Sequence, residues 1–230
     1  MQNKKRIIYE IYFPTFCRDF QDLTNKIPYF VELGVTTLWL TPIFPSPTEH
    51  GYDIINHFDI KKEYGSFRDF DNFIEKAHEN GLEVLLDLVL CHTSSEHLMF
   101  KESIQGKNDC YFWSNYKLDD AWKICNENKQ YYLAKWYYTM PQLNNQSAQV
   151  RTLIKVLIKF WLVEHKVDGF RLDAIKYASG DPIEFWKWFC DEVYKIKPDA
   201  YLVGECWEEF EISNKYAIET GMNTFNFEQA

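Results

Sequence analysis

Three short strings place charge where apolar patterning alone would not supply it. Asp87 lies in LLDLVLCHTS, Arg171 and Asp173 in VDGFRLDA, and Glu205 in YLVGECW. Each reads as an apolar strand finishing on polar residues, and in a parallel β/α barrel the strand ends are where catalytic groups sit. Arg171 and Asp173 are two residues apart, so on a strand they share one face and Leu172 takes the other. Cleavage of a glycosidic bond with retention needs a carboxylate nucleophile and a protonated carboxylic acid roughly 5–5.5 Å apart. Asp173 and Glu205, on consecutive strands, are candidates for that pair. Arg171 is expected to keep Asp173 ionised. Glu205, flanked by Cys206 and Trp207, is expected in apolar surroundings that raise a carboxyl pKa for acid catalysis. A lone strand-end charge is usually a solvated cap or an internal ion pair, but four on three consecutive ends favour a site. A metal site of Asp87, His92, Asp173 and Glu205 is the other chemistry this set could support, and Arg171 argues against it by repelling a cation.

The elements that must position these residues follow an alternating pattern. Strand candidates cover residues 7–13, 35–41, 82–90, 167–172 and 200–204, with a weaker sixth near 224–227. Helical periods occupy residues 22–33, ending at Gly34, and 67–80, ending at Gly81, where glycine can adopt a left-handed C-cap. A third, amphipathic helix is expected over 147–165 with Ser147 as N-cap. A fourth spans 182–196 with Pro182 at its start, where a missing N–H costs nothing. Strands alternating with helices mean βαβ units and a parallel sheet. VLLDLVL is apolar apart from Asp87, as a sheet covered on both faces requires. A closed barrel and an open doubly wound sheet both satisfy this pattern, but no GxGxxG or GxxxxGK[ST] turn supports nucleotide binding. The interval from Cys91 to Gln146 has no clear period and is too long for a plain loop. It reads as a small subdomain rich in Trp and Tyr, inserted at the third strand's C-terminal end.

Composition narrows the partners. A net charge of −9 without a basic stripe excludes a nucleic-acid surface. No apolar run approaches the ~20 residues that cross a membrane. The opening MQNKKRIIYEIYF carries Glu10 in a short apolar segment and reads as a first strand, not a signal peptide. Cys17, Cys91, Cys110, Cys125, Cys190 and Cys206 are scattered without CxxC spacing, so free thiols and a cytoplasmic location are expected. Aromatics make up 18% of the chain, enough to fill a core and to stack against sugars.

Read together, these strings resemble the ordered motifs of glycoside hydrolase family 13, the α-amylase family. IIYEIYFPTF is similar to its first strand, GVTTLWLTPIFPSP to its second strand and loop, and HGYDI to the segment lining the innermost sugar subsite. DLVLCHTS, GFRLDAIKY and VGECW resemble the third-, fourth- and fifth-strand motifs, and MPQLN a segment near the end of the inserted domain B. The resemblance implies a (β/α)8 TIM barrel, incomplete at about six strands, with a short domain B after the third. Residues 1–91 would form the first barrel part, 92–146 domain B, and 147–230 the barrel's continuation. It implies Asp173 as nucleophile and Glu205 as general acid and base. Arg171 would hold the nucleophile, His92 and Asp53 would hydrogen-bond the innermost glucose, and Tyr52 would stack on it. Lys176 would line the leaving-group side, and Asp87 would brace the third strand end. An α-glucan or maltooligosaccharide would be the substrate, most like that of bacterial members acting on oligosaccharides.

Departures from the pattern set further expectations. The family usually has Asn at Cys91, His at Tyr177 and often Asp at Gln142, and the first two positions commonly help hold a structural calcium. An aspartate-rich loop after the first strand is also lacking, so no bound Ca²⁺ is expected and no other cofactor. FNFEQA resembles the sixth strand, and the family's seventh-strand His-Asp motif, with its third essential carboxylate, is not found. An unclosed barrel would expose two strand edges, favouring self-association. It would also be a weak catalyst, or an inactive module that only binds sugar or a partner.

Overall fold

The computed structural model describes residues 5–225. Six parallel strands form one curved sheet: β1 (Ile8–Ile11), β2 (Thr37–Leu40), β3 (Glu83–Leu88), β7 (Gly169–Leu172), β8 (Tyr201–Glu205) and β9 (Asn223–Phe225), in that order. This is the expected incomplete barrel, with β1 and β9 at its edges among the described residues. Strands β4 (Trp113–Ser114), β5 (Trp122–Ile124) and β6 (Tyr131–Leu133) make a separate antiparallel sheet in the order β4-β6-β5. It lies in the stretch for which the sequence showed no period, because strands of two or three residues are too short to display alternation.

Side-chain alternation divides the main sheet into two apolar faces. Leu38, Leu40, Val84, Leu86, Leu88, Phe170, Leu172 and Leu202 point to the helices and join the main core with Phe20, Phe70, Phe73, Ile154, Phe185 and Phe189. Trp39, Leu85 and Val203 cluster on the opposite, inner face with Tyr201 and Phe225 packed against them. Covering both faces is what makes VLLDLVL apolar at every position but Asp87.

The helices begin and end largely as their chemistry directs. α4 (Phe67–Glu79) starts with a capping box between Ser66 and Asp69 and is followed by Gly81 at φ +74, the left-handed position anticipated for it. α6 (Ala148–Lys159) is capped by Ser147 Oγ, which accepts from the N–H groups of Gln149 and Val150. α7 (Pro182–Ile196) is capped by Asp181 with proline in its first turn.

Some expectations are corrected. The helix expected over 22–33 is two, α2 (Phe20–Asn25) and α3 (Ile27–Glu32), because Pro28 cannot continue a helix but can open a new first turn. The helix expected over 147–165 leaves α geometry at Phe160 and finishes as a π-helical turn, Phe160–Glu164. In the first strand candidate, Phe13 starts a short helix, α1 (Phe13–Phe16), with Pro14 in its first turn. Residues 226 and 227 of the sixth strand candidate lie outside the described residues. Two further α-helices, α5 (Leu98–Ile104) and α8 (Phe210–Thr220), lie among the described residues.

Gly169 is the more closely packed of the sheet's two glycines: a Cβ there would lie 1.8 Å from the Tyr201 carbonyl oxygen on β8, against 2.9 Å for the nearest atom at Gly204. Backbone cannot yield as a flexible side chain can, so Gly169→Ala is expected to cost at least about 3 kcal/mol. Urea unfolding of the variant checks this, and wild-type stability would show that β7 and β8 are not so closely paired.

Candidate active site

Parallel register alone brings the charged residues together. Asp87 pairs with Arg171 across β3 and β7, and Leu172 pairs with Gly204 across β7 and β8. Asp173 and Glu205, one residue further on, are therefore level on neighbouring strand ends and on the same inner face.

Arg171 is the hub. Its Nη1 donates to Asp87 Oδ1 at 2.7 Å and to Asp173 Oδ1 at 2.9 Å, and its Nη2 lies 2.8 Å from Glu205 Oε2. Arg171 is only 2% exposed. The other Asp87 oxygen accepts from Trp39 Nε1 at 3.1 Å and from the Tyr52 hydroxyl at 3.0 Å. The Arg171 guanidinium also lies 4.9 Å from the Trp39 ring and 5.7 Å from that of Tyr52. A metal at this point would need the position the guanidinium occupies. His92 is not part of the cluster either, since its Nε2 donates to the Tyr52 carbonyl oxygen at 3.0 Å.

The backbone contributes a donor that the sequence does not announce. Ala174 adopts φ 45°, ψ 52°, a left-handed conformation uncommon for a residue with a Cβ. This turn directs its N–H to Glu205 Oε2 at 3.0 Å. Such strain is typical of functional sites. Glu205 therefore contacts a guanidinium and an amide, not the apolar surroundings expected for it.

The electrostatics also correct the expectation for Asp173. Burial, with Asp87 and Glu205 as neighbours, outweighs Arg171 and pushes Asp173 up to about 7. Burial likewise raises Asp87 against the pull of Arg171. Burial works against the charge on Arg171 too, but Asp87, Asp173 and Glu205 more than compensate and hold its pKa above the ordinary value. One cation for three carboxylates leaves room for a proton, which the cluster takes up.

The three charged residues Arg171, Asp173 and Glu205 lie on a cavity of about 540 Å³ whose walls include Tyr52, His92, Trp136, Tyr177 and Trp207. Trp136 packs on the His92 ring at 4.7 Å and on the Tyr177 ring at 4.9 Å. Burial lowers the His92 pKa to about 4, keeping the imidazole neutral. Asp53 is fully buried, with Oδ1 accepting from Ser46 and Thr48 and Oδ2 without a partner among the described residues. Lys176 does not line the cavity and pairs with Glu208. Trp136, Trp207 and the Ala174 amide are members that sequence reasoning missed. Only the aromatic richness of residues 92–146 hinted at the first.

Next to the site, neutral donors fill the positions where the sequence departs from its family. Gln142 Nε2 donates to the Tyr177 carbonyl at 2.7 Å, and the Cys91 thiol faces the Ala174 carbonyl oxygen at 3.5 Å.

A half-barrel of parallel strands carrying acidic residues on its C-terminal rim defines the class of β/α-barrel proteins with rim sites. The alpha amylase catalytic-domain family model matches residues 14–230, and the chain belongs to the α-amylase family. It is 41% identical over 229 residues to alpha-amylase 3 of Dictyoglomus thermophilum, covering 93% of this chain and 46% of that one. It is 36% identical over 207 residues to a 4-alpha-glucanotransferase of Thermotoga maritima, covering 83% and 45%. Among solved structures, Eubacterium rectale Amy13B superposes with a TM-score of 0.93 at 33% identity, over 99% of this chain and 49% of that one. The chain thus spans about half the length of the relatives it matches.

The raised Asp173 pKa has a sign that can be tested. A carboxyl whose pKa is higher folded than unfolded stabilises the fold below its unfolded value of 3.8, and that stability is lost as pH rises through about 7. Asp173→Asn, which keeps an acceptor for Arg171 and removes the charge, is expected to raise Tm by a few degrees at about pH 8.5 and to change it little at about pH 4. The reverse pH trend in thermal unfolding would show that Arg171 dominates after all.

Proposed function

We propose that Asp173 and Glu205 cleave α-glucosidic bonds with retention of configuration. The observation that carries this reading is the single guanidinium of Arg171 holding both carboxylates at adjacent strand ends on the cavity. Asp173 attacks the anomeric carbon while Glu205 protonates the departing glycosidic oxygen, giving a glycosyl ester. Glu205 then takes a proton from water, which attacks the same carbon and frees Asp173. The reaction needs a cluster that carries one proton near neutral pH, with Asp173 ionised and Glu205 protonated at the moment of attack. Burial of three carboxylates around one cation favours such a proton, and it pushes Asp173 up to about 7.

An α-glucan or maltooligosaccharide is the substrate this reading favours, supported by relatives named as an amylase, a glucosidase and a glucanotransferase. Tyr52 and His92 on the cavity wall would receive the innermost glucose. Asp53 Oδ2 and His92 Nδ1 are buried without partners among the described residues, which supports a hydrogen-bonding role toward sugar hydroxyls. Asp87 braces Arg171. Lys176, tied to Glu208, would stand outside the cavity toward the leaving group.

No structural cation belongs to this reading. Gln142 presents an N–H donor, not a carboxylate, to the Tyr177 carbonyl, and Cys91 is a neutral thiol, its pKa raised by burial. A chelator is therefore expected to leave Tm unchanged. A cytoplasmic setting is supported by six buried, unpaired cysteines. Among the described residues no helix is long and apolar enough to cross a membrane. The two sheet edges support self-association of the isolated chain, and a monomeric mass in sedimentation would contradict it.

Maltoheptaose incubated with the purified chain tests the reaction. Product release is expected, and Glu205→Gln should lower its rate roughly 10²–10⁴-fold. A folded chain whose rate equals that of the variant would make the site a sugar-binding relic, the second reading that the chain's partial span keeps in view.

A further inference from the structure

The cavity accounts for only part of the aromatic richness of residues 92–146. A second groove, of about 630 Å³, lies on the small antiparallel sheet and is lined by Trp122, Tyr131, Tyr132 and Tyr138, with Lys117, Asp120 and Lys123 among its polar residues. Its register explains the aromatic face. Trp122 pairs with Leu133 and Ile124 with Tyr131, so all four side chains share one side of the β5–β6 ribbon. Tyr132, on the other side, anchors the following turn by donating its hydroxyl proton to the Tyr138 carbonyl oxygen at 2.6 Å.

Consecutive residues line the two hollows. Trp136 and Tyr137 line the catalytic cavity, and Tyr138 lines the outer groove. Tyr137 is 65% exposed and Tyr138 68%, unusual for adjacent large aromatics that form no part of a core. Rings presented in this way take up a partner with flat apolar faces and hydroxylated edges. A pyranose offers both. Its C–H face stacks on an aromatic ring, and its hydroxyls can meet the exposed Lys117–Asp120 pair, whose charged atoms are 2.8 Å apart.

We propose that this groove is an outer subsite for an α-glucan chain, continuous with the cavity through Trp136, Tyr137 and Tyr138. The proposal rests on the glucan reading above and deepens it, because a chain held in both places must be longer than the few sugars the cavity encloses. The outer groove contributes to the binding of long chains and leaves short ones untouched.

Binding, not turnover, tests this. Maltotriose and glycogen would be titrated against the Glu205→Gln chain, in which hydrolysis does not intervene, with and without Trp122→Ala and Tyr138→Ala. The double variant is expected to bind glycogen roughly tenfold more weakly, as the loss of two ring contacts implies, with maltotriose affinity unchanged. Tyr138→Ala alone, at a solvent-exposed position, should give part of the same loss and guards against a Trp122 variant that fails to fold. Glycogen affinity unaltered in either folded variant would overturn the subsite, as would an equal loss for maltotriose. Failure of the catalytic reading shows elsewhere, as the absence of maltoheptaose cleavage, and the two failures are therefore distinguishable.

Discussion

Burying a guanidinium is costly unless it finds compensation, and much of this chain's architecture follows from meeting that demand at Arg171, whose two Nη groups are paired while Nε has no partner among the described residues. Three strands supply a carboxylate each at the level of its fork, and Trp39 and Tyr52 lie over the group while holding Asp87 from the far side. Below this polar layer the inner face is apolar, with Leu85 and Val203 beside Trp39. The carboxylates are thus locked by one cation, which fixes their relative position before any sugar arrives. The excess of negative charge is not a defect of the arrangement. It is what gives a cluster of ordinary carboxylates an appetite for a proton near neutrality.

Much of this was legible in the sequence because strands translate position into geometry with a period of two. Arg171 and Asp173 had to share a face, and the apolar runs around them had to be covered on both sides. What spacing could not convey was the influence of neighbours along the hydrogen-bonding direction. The proton at Asp173 depends on Asp87 and Glu205, residues that only register brings alongside it. Ala174 gives no hint of a left-handed backbone, since a residue with a Cβ, other than asparagine or aspartate, seldom visits that region. The break at Pro28 was written in the chain, but the helical period on either side concealed it. Asp53 and Lys176 carry a motif resemblance whose contacts were not readable: one turned inward to Ser46 and Thr48, the other outward to Glu208.

The inserted segment is fastened to the barrel by neutral hydrogen bonds. Asn145 donates from its side chain to the Leu90 carbonyl and accepts from the Ser179 N–H, while Gln142 reaches the Tyr177 carbonyl. These contacts connect the end of β3 and the loop after β7 to the base of the small sheet. They set the wall carrying Trp136 against the floor carrying Asp173, so the cavity's shape depends on amides that never face it.

The same registers say something about how the molecule comes to exist. Arg171 and Asp87 are separated by 84 positions in the chain, and Glu205 meets the Ala174 amide across 31. No local segment can form the charged layer by itself, since closing such loops costs entropy that distant contacts must first repay. Until β3, β7 and β8 align, each ion keeps its own hydration, and stripping that water early would be uphill. The ionic centre therefore acts as a checkpoint in assembly, in that only a sheet with every strand in register can afford to dry it.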